Sequence, residues 1–260
     1  MTAKEVESEQ TGAAEPLTEA YLKRAVLRSI EIDAQRRFPV WMVGDMDGLI
    51  DAFIEAQNTH AHLKERTPFG AVLWPSGKAF ARAIETELSE EFKNPTAVSL
   101  ELGCGVGFVA AWLAHLGVGK VVATDYEPAF ATFVEKNARE FFVENQVHFK
   151  ILDWTQPLPS SEIKQYRLVV ACDVLYEDVH IEFLPKIASA VLHPEGVFYL
   201  ADPERYRFQS ALENLNRCFG KIEDTLLEVA SDDFDASAGV VNASATLTRV
   251  HLLKCTLPRL

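Results

Sequence analysis

Three glycines at alternate positions, Gly103, Gly105 and Gly107, sit in LELGCGVGFVAAWLA between an apolar run and a helix-like stretch. Glycine has no Cβ and adopts positive φ at little cost, so such a turn lets a ligand approach the main chain. The helix that follows would offer free N–H groups and a positive dipole end to a carboxylate or phosphate. The spacing is G-x-G-x-G, which departs from the G-x-G-x-x-G fingerprint of hydride-transferring dinucleotide enzymes. Asp125 lies 18 positions after Gly107, at the end of KVVATD, where a carboxylate accepts hydrogen bonds from ribose hydroxyls. Asp153 ends VHFKILD, a place suited to an adenine amino group, with Trp154 beside it as an apolar or stacking surface. The three strand ends describe a nucleoside-shaped site.

These residues need a particular scaffold. From Ala97 onward, short apolar runs alternate with helical stretches, which predicts βαβ units and a parallel sheet. Strands are expected at AVSLEL, KVVATD, VHFKILD, RLVVACD and GVFYLAD, with helices over 108–117, 128–144 and 181–192. Two further runs, IEDTLLEVA and TLTRVHLLKC, have no helix between them and read as an antiparallel hairpin at the sheet edge, joined by a loop containing SDDFDASAGVVNAS. The expected fold is therefore α/β: a doubly wound, mostly parallel seven-stranded sheet, Rossmann-like, with a C-terminal antiparallel hairpin and N-terminal helices. In front of it, Leu17 to Gln35 carries Leu, Ala, Val and Ile at helical spacing, which predicts an amphipathic helix, and LIDAFIEAQNTHAHLKE behaves the same way. Residues 1–16 are acidic and polar, lack the pattern of an export signal, and read as a disordered tail.

Composition narrows the function classes. Apolar residues make up 48% and charged residues 24% of the 260, as in a globular protein, and no apolar run approaches the ~20 residues that span a bilayer. A net charge of −13 opposes phosphate-driven binding to nucleic acid. The four cysteines, Cys104, Cys172, Cys218 and Cys255, have no paired spacing, so neither a disulfide framework nor a zinc site is expected, and a reducing cytoplasm fits. His60 and His62 lack companion ligands, so no metal is expected there.

ELGCGVG, ATDYEP, ILDW and ACDVLYE, in this order at successive strand ends, resemble the seven-stranded (class I) S-adenosylmethionine-dependent methyltransferases over roughly residues 69–255. DVLY, Asp173 to Tyr176, resembles the Asp-x-x-Tyr motif of the family 16 branch, whose members are mostly protein-lysine methyltransferases, and VLWPSG resembles that branch's tryptophan-bearing segment. FGAVLWPSGKAFARAI and ADPERYRF are similar to segments of the electron transfer flavoprotein β-subunit lysine methyltransferases. The resemblance implies a tail at 1–16, a helical extension at 17–68 and a methyltransferase domain at 69–260. It implies S-adenosyl-L-methionine as methyl donor, with the backbone at Gly103, Gly105 and Gly107 carrying its methionine part and Glu101 at the loop entrance. Asp125 and Tyr126 would border the ribose, Asp153 and Trp154 the adenine, Trp74 would cover the cofactor, and Cys172 would line the wall. Asp173 and Tyr176 would face the acceptor as catalytic residues. The implied partner is a protein presenting a lysine to a cytoplasmic monomer, with no nucleic acid and no membrane.

Each feature also has a plainer reading. Asp125 alone could cap the helix that begins at EPAF. Trp74 and Trp154 could be packing residues. Transfer to a small molecule or to a protein His or Arg, and a non-catalytic module that binds the cofactor, stand as alternatives to lysine methylation.

Overall fold

Val98–Leu102 forms strand β3, buried from Ser99 onward, as required of a strand with neighbours on both sides and helices on both faces. In the computed structural model, which describes residues 17–59, 67–88, 90–230 and 247–259, β3 is an interior strand, third from one edge of a seven-stranded sheet. Its partners are β4 (Lys120–Asp125), β5 (Val147–Ile151), β6 (Tyr166–Cys172), β7 (Leu192–Pro203), β8 (Phe219–Ala230) and β9 (Leu247–Pro258). The order is β5-β4-β3-β6-β7-β9-β8. The first five strands are mutually parallel, and β9 runs antiparallel to both β7 and β8. This is the doubly wound, Rossmann-like sheet with a C-terminal antiparallel hairpin that the strand pattern predicts.

Helices α3 (Pro75–Glu87), α4 (Phe108–His115) and α5 (Phe130–Glu140) cover one face, around Phe80, Trp112 and Phe133. The other face carries α6 (Asp178–Val191) and α7 (Phe208–Cys218), packed around Leu184, Phe198 and Leu215. Every residue of α4 from Phe108 to Ala114 is buried, which explains why it is apolar all round. Trp112, fully buried, meets its one donor requirement by giving Nε1–H to the Ala81 carbonyl at 2.9 Å. Helices α3 and α7 carry no expectation from periodicity above. Pro75 at the first turn of α3 is a start signal that SGK, with its small and polar residues, obscures.

The N-terminal extension differs from the predicted helix over 17–35. Residues 17–23 are helical (α1), but the chain then forms β1 (Ala25–Glu31), which pairs antiparallel with β2 (Arg37–Val43). β-Branched Val26, Ile30 and Val40 suit this ladder better than a helix. Asp33 sets the reversal by accepting the N–H groups of Gln35 and Arg36 at 3.0 and 2.9 Å, which is the turn chemistry expected of an aspartate. Helix α2 (Met46–Thr59) then follows, overlapping the second helix predicted over 49–65 and beginning three residues before it. The tail at 1–16, His60 and His62, and the acidic loop at Asp232 to Asp235 lie outside the described residues. Among the described residues, no helix is long and apolar enough to cross a membrane.

One buried side chain ties the hairpin to the sheet domain. Asn137 of α5 accepts the Trp41 N–H at 2.6 Å and donates to the Trp41 carbonyl at 3.0 Å and the Val106 carbonyl at 2.8 Å. It thereby joins β2, α5 and the glycine turn. Asn137→Ala leaves these partners unsatisfied and should cost about 2–3 kcal/mol in urea unfolding. A loss below about 1 kcal/mol would mean that the hairpin is not held through this amide.

Candidate active site

The glycine turn follows β3 directly, and all three glycines have positive φ: +72° at Gly103, +49° at Gly105 and +77° at Gly107. Parts of the chain itself press against them. A Cβ on Gly103 would lie 2.7 Å from Val174 Cγ1, and one on Gly105 would lie 2.4 Å from the Gly70 carbonyl oxygen. A Cβ on Gly107 would meet Val134 of α5 at 2.6 Å. Gly103 and Gly105 line a cavity of about 740 Å³, whereas Gly107 stands outside its wall and serves helix packing.

The cavity opens at the carboxyl ends of β3, β4, β5 and β6, and it gathers the other predicted residues. Trp74, Glu101, Asp125, Tyr126, Asp153, Trp154, Cys172, Asp173 and Tyr176 all line it. Parallel register explains much of this convergence: Glu101 lies opposite Ala123 of β4 and Val170 of β6, so the strand ends fall level. The volume is in the range of small-molecule sites.

Burial dominates the electrostatics. Asp125 accepts the Gly105 N–H at 3.0 Å and the Glu127 N–H at 3.1 Å. Burial nevertheless pushes its carboxyl up to about 6. Glu101 accepts the Ala110 N–H at 2.9 Å inside α4. Burial, with the Asp125 charge adding to it, pushes Glu101 up to about 8. Two acids lifted in one cavity mark a place where a bound cation would be welcome. Asp153 is less buried and accepts both the N–H and the hydroxyl of Thr155 through Oδ1, at 2.9 and 2.7 Å, which leaves Oδ2 for another donor.

Asp173 is engaged in a way its motif does not reveal. Oδ2 accepts the Ser76 N–H at 2.9 Å, in the first turn of α3, and Oδ1 is ion-paired with Arg205 Nη2. Arg205 Nη1 also holds Asp202 at 2.7 Å, and Asp202 accepts the Leu175 N–H at 3.0 Å. Asp173 therefore bridges the N-terminal segment and the loop after β7, rather than offering a free carboxylate to an acceptor. Its backbone is left-handed, at φ 59°, turning Val174 to Tyr176 across the cavity mouth.

The segment from Thr67 to Trp74 covers the cavity from above. Trp74 Nε1 donates to the Phe69 carbonyl at 2.7 Å, and Tyr126 donates its hydroxyl to the Thr67 carbonyl at 3.2 Å. Tyr176 packs edge-on against Phe69 and His180, with ring centres 5.8 and 4.6 Å apart. Burial raises the Tyr176 phenol above its usual range and lowers the His180 imidazole below its own. Thr67, Glu177, His180 and Arg205 are site residues that residue types and spacing do not announce. Arg205 lies in the ADPERYRF resemblance, while Thr67 has no local signal at all. Among the described residues, no group of three or more His, Cys, Asp or Glu is placed to hold a metal ion.

The raised Glu101 carboxyl has a sign that can be measured. A carboxyl whose folded pKa is raised lends stability that is complete below its unfolded value and is lost as pH climbs through the folded value. For Glu101 the window runs from 4.5 to about 8. Asp125, lifted to about 6, is half ionised at the start of that upper range and adds to its first part, whereas Asp202, lifted by burial to about 7, shares more of it. The melting temperature should fall between pH 6 and pH 8, and Glu101→Gln should remove a large part of that fall. An unchanged slope in the variant would show that Glu101 titrates normally.

The lysine methyltransferase family matches residues 55–217. Ribosomal protein L11 methyltransferase of Symbiobacterium thermophilum is 28% identical over 156 residues, 60% of this chain and 48% of that protein. A UPF0665 family protein of Schizosaccharomyces pombe is 27% identical over 139 residues, 52% of this chain and 42% of that protein. The chain spans about half the length of these curated relatives. Among solved structures, an S-adenosylmethionine-dependent O-methyltransferase from Thermotoga maritima superposes with a TM-score of 0.52 at 18% identity, covering 90% of this chain and 79% of that one. At that identity the likeness is one of fold. The family match takes in more than half of the sequence and includes the glycine turn, the strand-end acids and Asp-x-x-Tyr: the chain belongs to the lysine methyltransferase family, within the seven-stranded S-adenosylmethionine-dependent methyltransferases.

Proposed function

We propose that this protein transfers a methyl group from S-adenosyl-L-methionine to a lysine side chain of a protein substrate. The observation that carries the reading is the meeting of Glu101, Asp125, Asp153 and Tyr176, from four separate strand ends, around one cavity. The residues fit the cofactor. Asp125 would accept the ribose hydroxyls, Asp153 Oδ2 the adenine amino group, and Glu101 would face the ammonium of the methionine part. Trp154 and Tyr126 provide flat apolar surface, and the Gly103–Gly105 backbone offers close approach. When bound, the cofactor supplies a methyl already activated on a sulfonium, so the chain's task is positioning. The Thr67–Trp74 cover excludes water, and Asp173 holds that cover in place through Ser76. Tyr176 would receive the substrate amine at the cavity mouth. An overall acidic chain suits a lysine-bearing partner, and a reducing cytoplasm suits its four free cysteines.

The test is incubation of a cell lysate with radioactive S-adenosylmethionine, followed by mass spectrometry of any labelled band. Methyl-lysine in a labelled protein supports the reading, and methylation at another nitrogen or in small molecules only overturns it. The electron transfer flavoprotein β-subunit and ribosomal protein L11 are the first purified proteins to assay. Cofactor binding can be tested separately. Asp125→Ala should weaken it by about 1.5–3 kcal/mol in calorimetry, the range for hydrogen bonds to a charged group. Unchanged affinity would refute the ribose assignment.

A further inference from the structure

We infer that Tyr206, on the turn after β7, is the docking anchor for a basic segment of the protein substrate, holding that segment beside the cavity mouth while its lysine enters. The inference rests on the lysine-methyltransferase reading and adds the surface that would select the protein.

β7 is parallel to β6 and ends at Pro203, so the chain leaves it at the end of the sheet where the cavity opens. The next residues are tied to the cavity wall. Arg205 pairs with Asp173 and, at 2.7 Å, with Asp202, and Arg207 pairs with Asp178. Asp173 and Asp178 both line the cavity. Tyr206 stands between the two arginines, and the Phe208 N–H closes a turn around it by donating to the Arg205 carbonyl at 3.0 Å. With both neighbours drawn to the wall, Tyr206 is 98% exposed. A single exposed aromatic residue is ordinary in itself. This one is set apart by its mounting, because a turn and flanking ion pairs have already ordered its backbone, so a partner that packs on the ring has little further ordering to meet. Tyrosine in such a place is over-represented among the residues that anchor interfaces. Phe69, also exposed, adds apolar surface at the same mouth, packed on Tyr176.

Charge selects the kind of partner. Around Tyr206 the carboxylates of Asp173, Glu177, Asp178, Asp202 and Glu204 face only the guanidinium groups of Arg205 and Arg207. Burial keeps the His180 imidazole, 3.9 Å from Glu177, neutral. His251 lies 4.0 Å from Glu204 but is tied through Nδ1 to a further carboxylate, Asp224, at 2.8 Å. Negative charge stays in excess even with Asp202 protonated. A segment with a second Lys or Arg near the target lysine complements this rim, and that cation gains further by lying over the open Tyr206 ring.

The probe is the protein that wild type labels in lysate, purified once mass spectrometry has named it, with kcat and KM read from radioactive methyl transfer and cofactor affinity from calorimetry. Tyr206→Ala should raise KM for this protein about tenfold, as expected for truncating an anchor, with kcat and cofactor affinity unchanged. Tyr206→Phe, which keeps the ring, should recover most of the loss. Phe142→Ala is the control: Phe142 is 89% exposed but lies between α5 and β5, at the opposite end of the sheet, and KM should not move. Wild-type KM should rise with salt, and Glu204→Gln should raise KM several-fold and flatten that salt dependence. A photoreactive phenylalanine at position 206 should crosslink to the same protein that is methylated, and one at position 142 should not. An unchanged KM in Tyr206→Ala, a loss confined to kcat or cofactor affinity, a KM indifferent to salt, or a crosslink to a second copy of this chain overturns the docking role while leaving lysine methylation intact. Wild type that methylates no protein lysine overturns both.

Discussion

The crevice at β3 is the constraint from which the site follows. Its two parallel neighbours, β4 and β6, are followed by helices on opposite faces of the sheet, α5 with α3 and α4 on one and α6 on the other. At such a switch point the loops beyond the strand ends diverge and leave a gap that no short connection fills. Each of these strands then adds one functional residue near its carboxyl end: Glu101 from β3, and, two residues beyond its level, Asp125 from β4 and Cys172 from β6. A slip of one residue in any strand would turn its last side chain to the opposite face. Core packing on both faces thereby fixes the geometry of the rim.

A second layer of constraint comes from the chain closing over its own site. Gly70 and Val174 approach the glycine turn so closely that Cβ atoms at Gly105 and Gly103 would collide with them. The absence of side chains thus serves the protein's own closure as well as ligand approach. Asp173 fastens two of the covering segments, through Ser76 and Arg205. A buried carboxylate without these partners would be costly, and with them it holds the α3 entrance, the motif and the loop after β7 in register. Tyr176, three residues on, owes its position to that anchorage.

How much of this could be read from the sequence depended on how local the cause was. Parallel strands buried on both faces are short apolar runs, and KVVATD forms β4 with the bounds its sequence suggests. The acids stand out because charge at the end of an apolar run needs a reason. The β1–β2 hairpin was hidden because Leu17 to Gln35 also satisfies a helical period. The arbitration came from Asp33 turn chemistry and from docking on Asn137, ninety-six residues beyond Trp41. Gly107 looked equivalent to Gly103 and Gly105, and only the position of Val134 distinguishes it. Thr67 and Glu177 lie 110 residues apart and meet through folding alone. The engagement of Asp173 by Arg205 was likewise invisible to spacing.

The measurement that reaches the central claim most directly is ultraviolet crosslinking of radioactive S-adenosylmethionine to the intact protein, followed by peptide mapping. The account predicts label confined to peptides containing residues 67–77, 101–106, 125–126, 152–155 or 172–180, suppressed by excess unlabelled cofactor. Competable label concentrated elsewhere, on the β8–β9 hairpin or the β1–β2 hairpin, would contradict it.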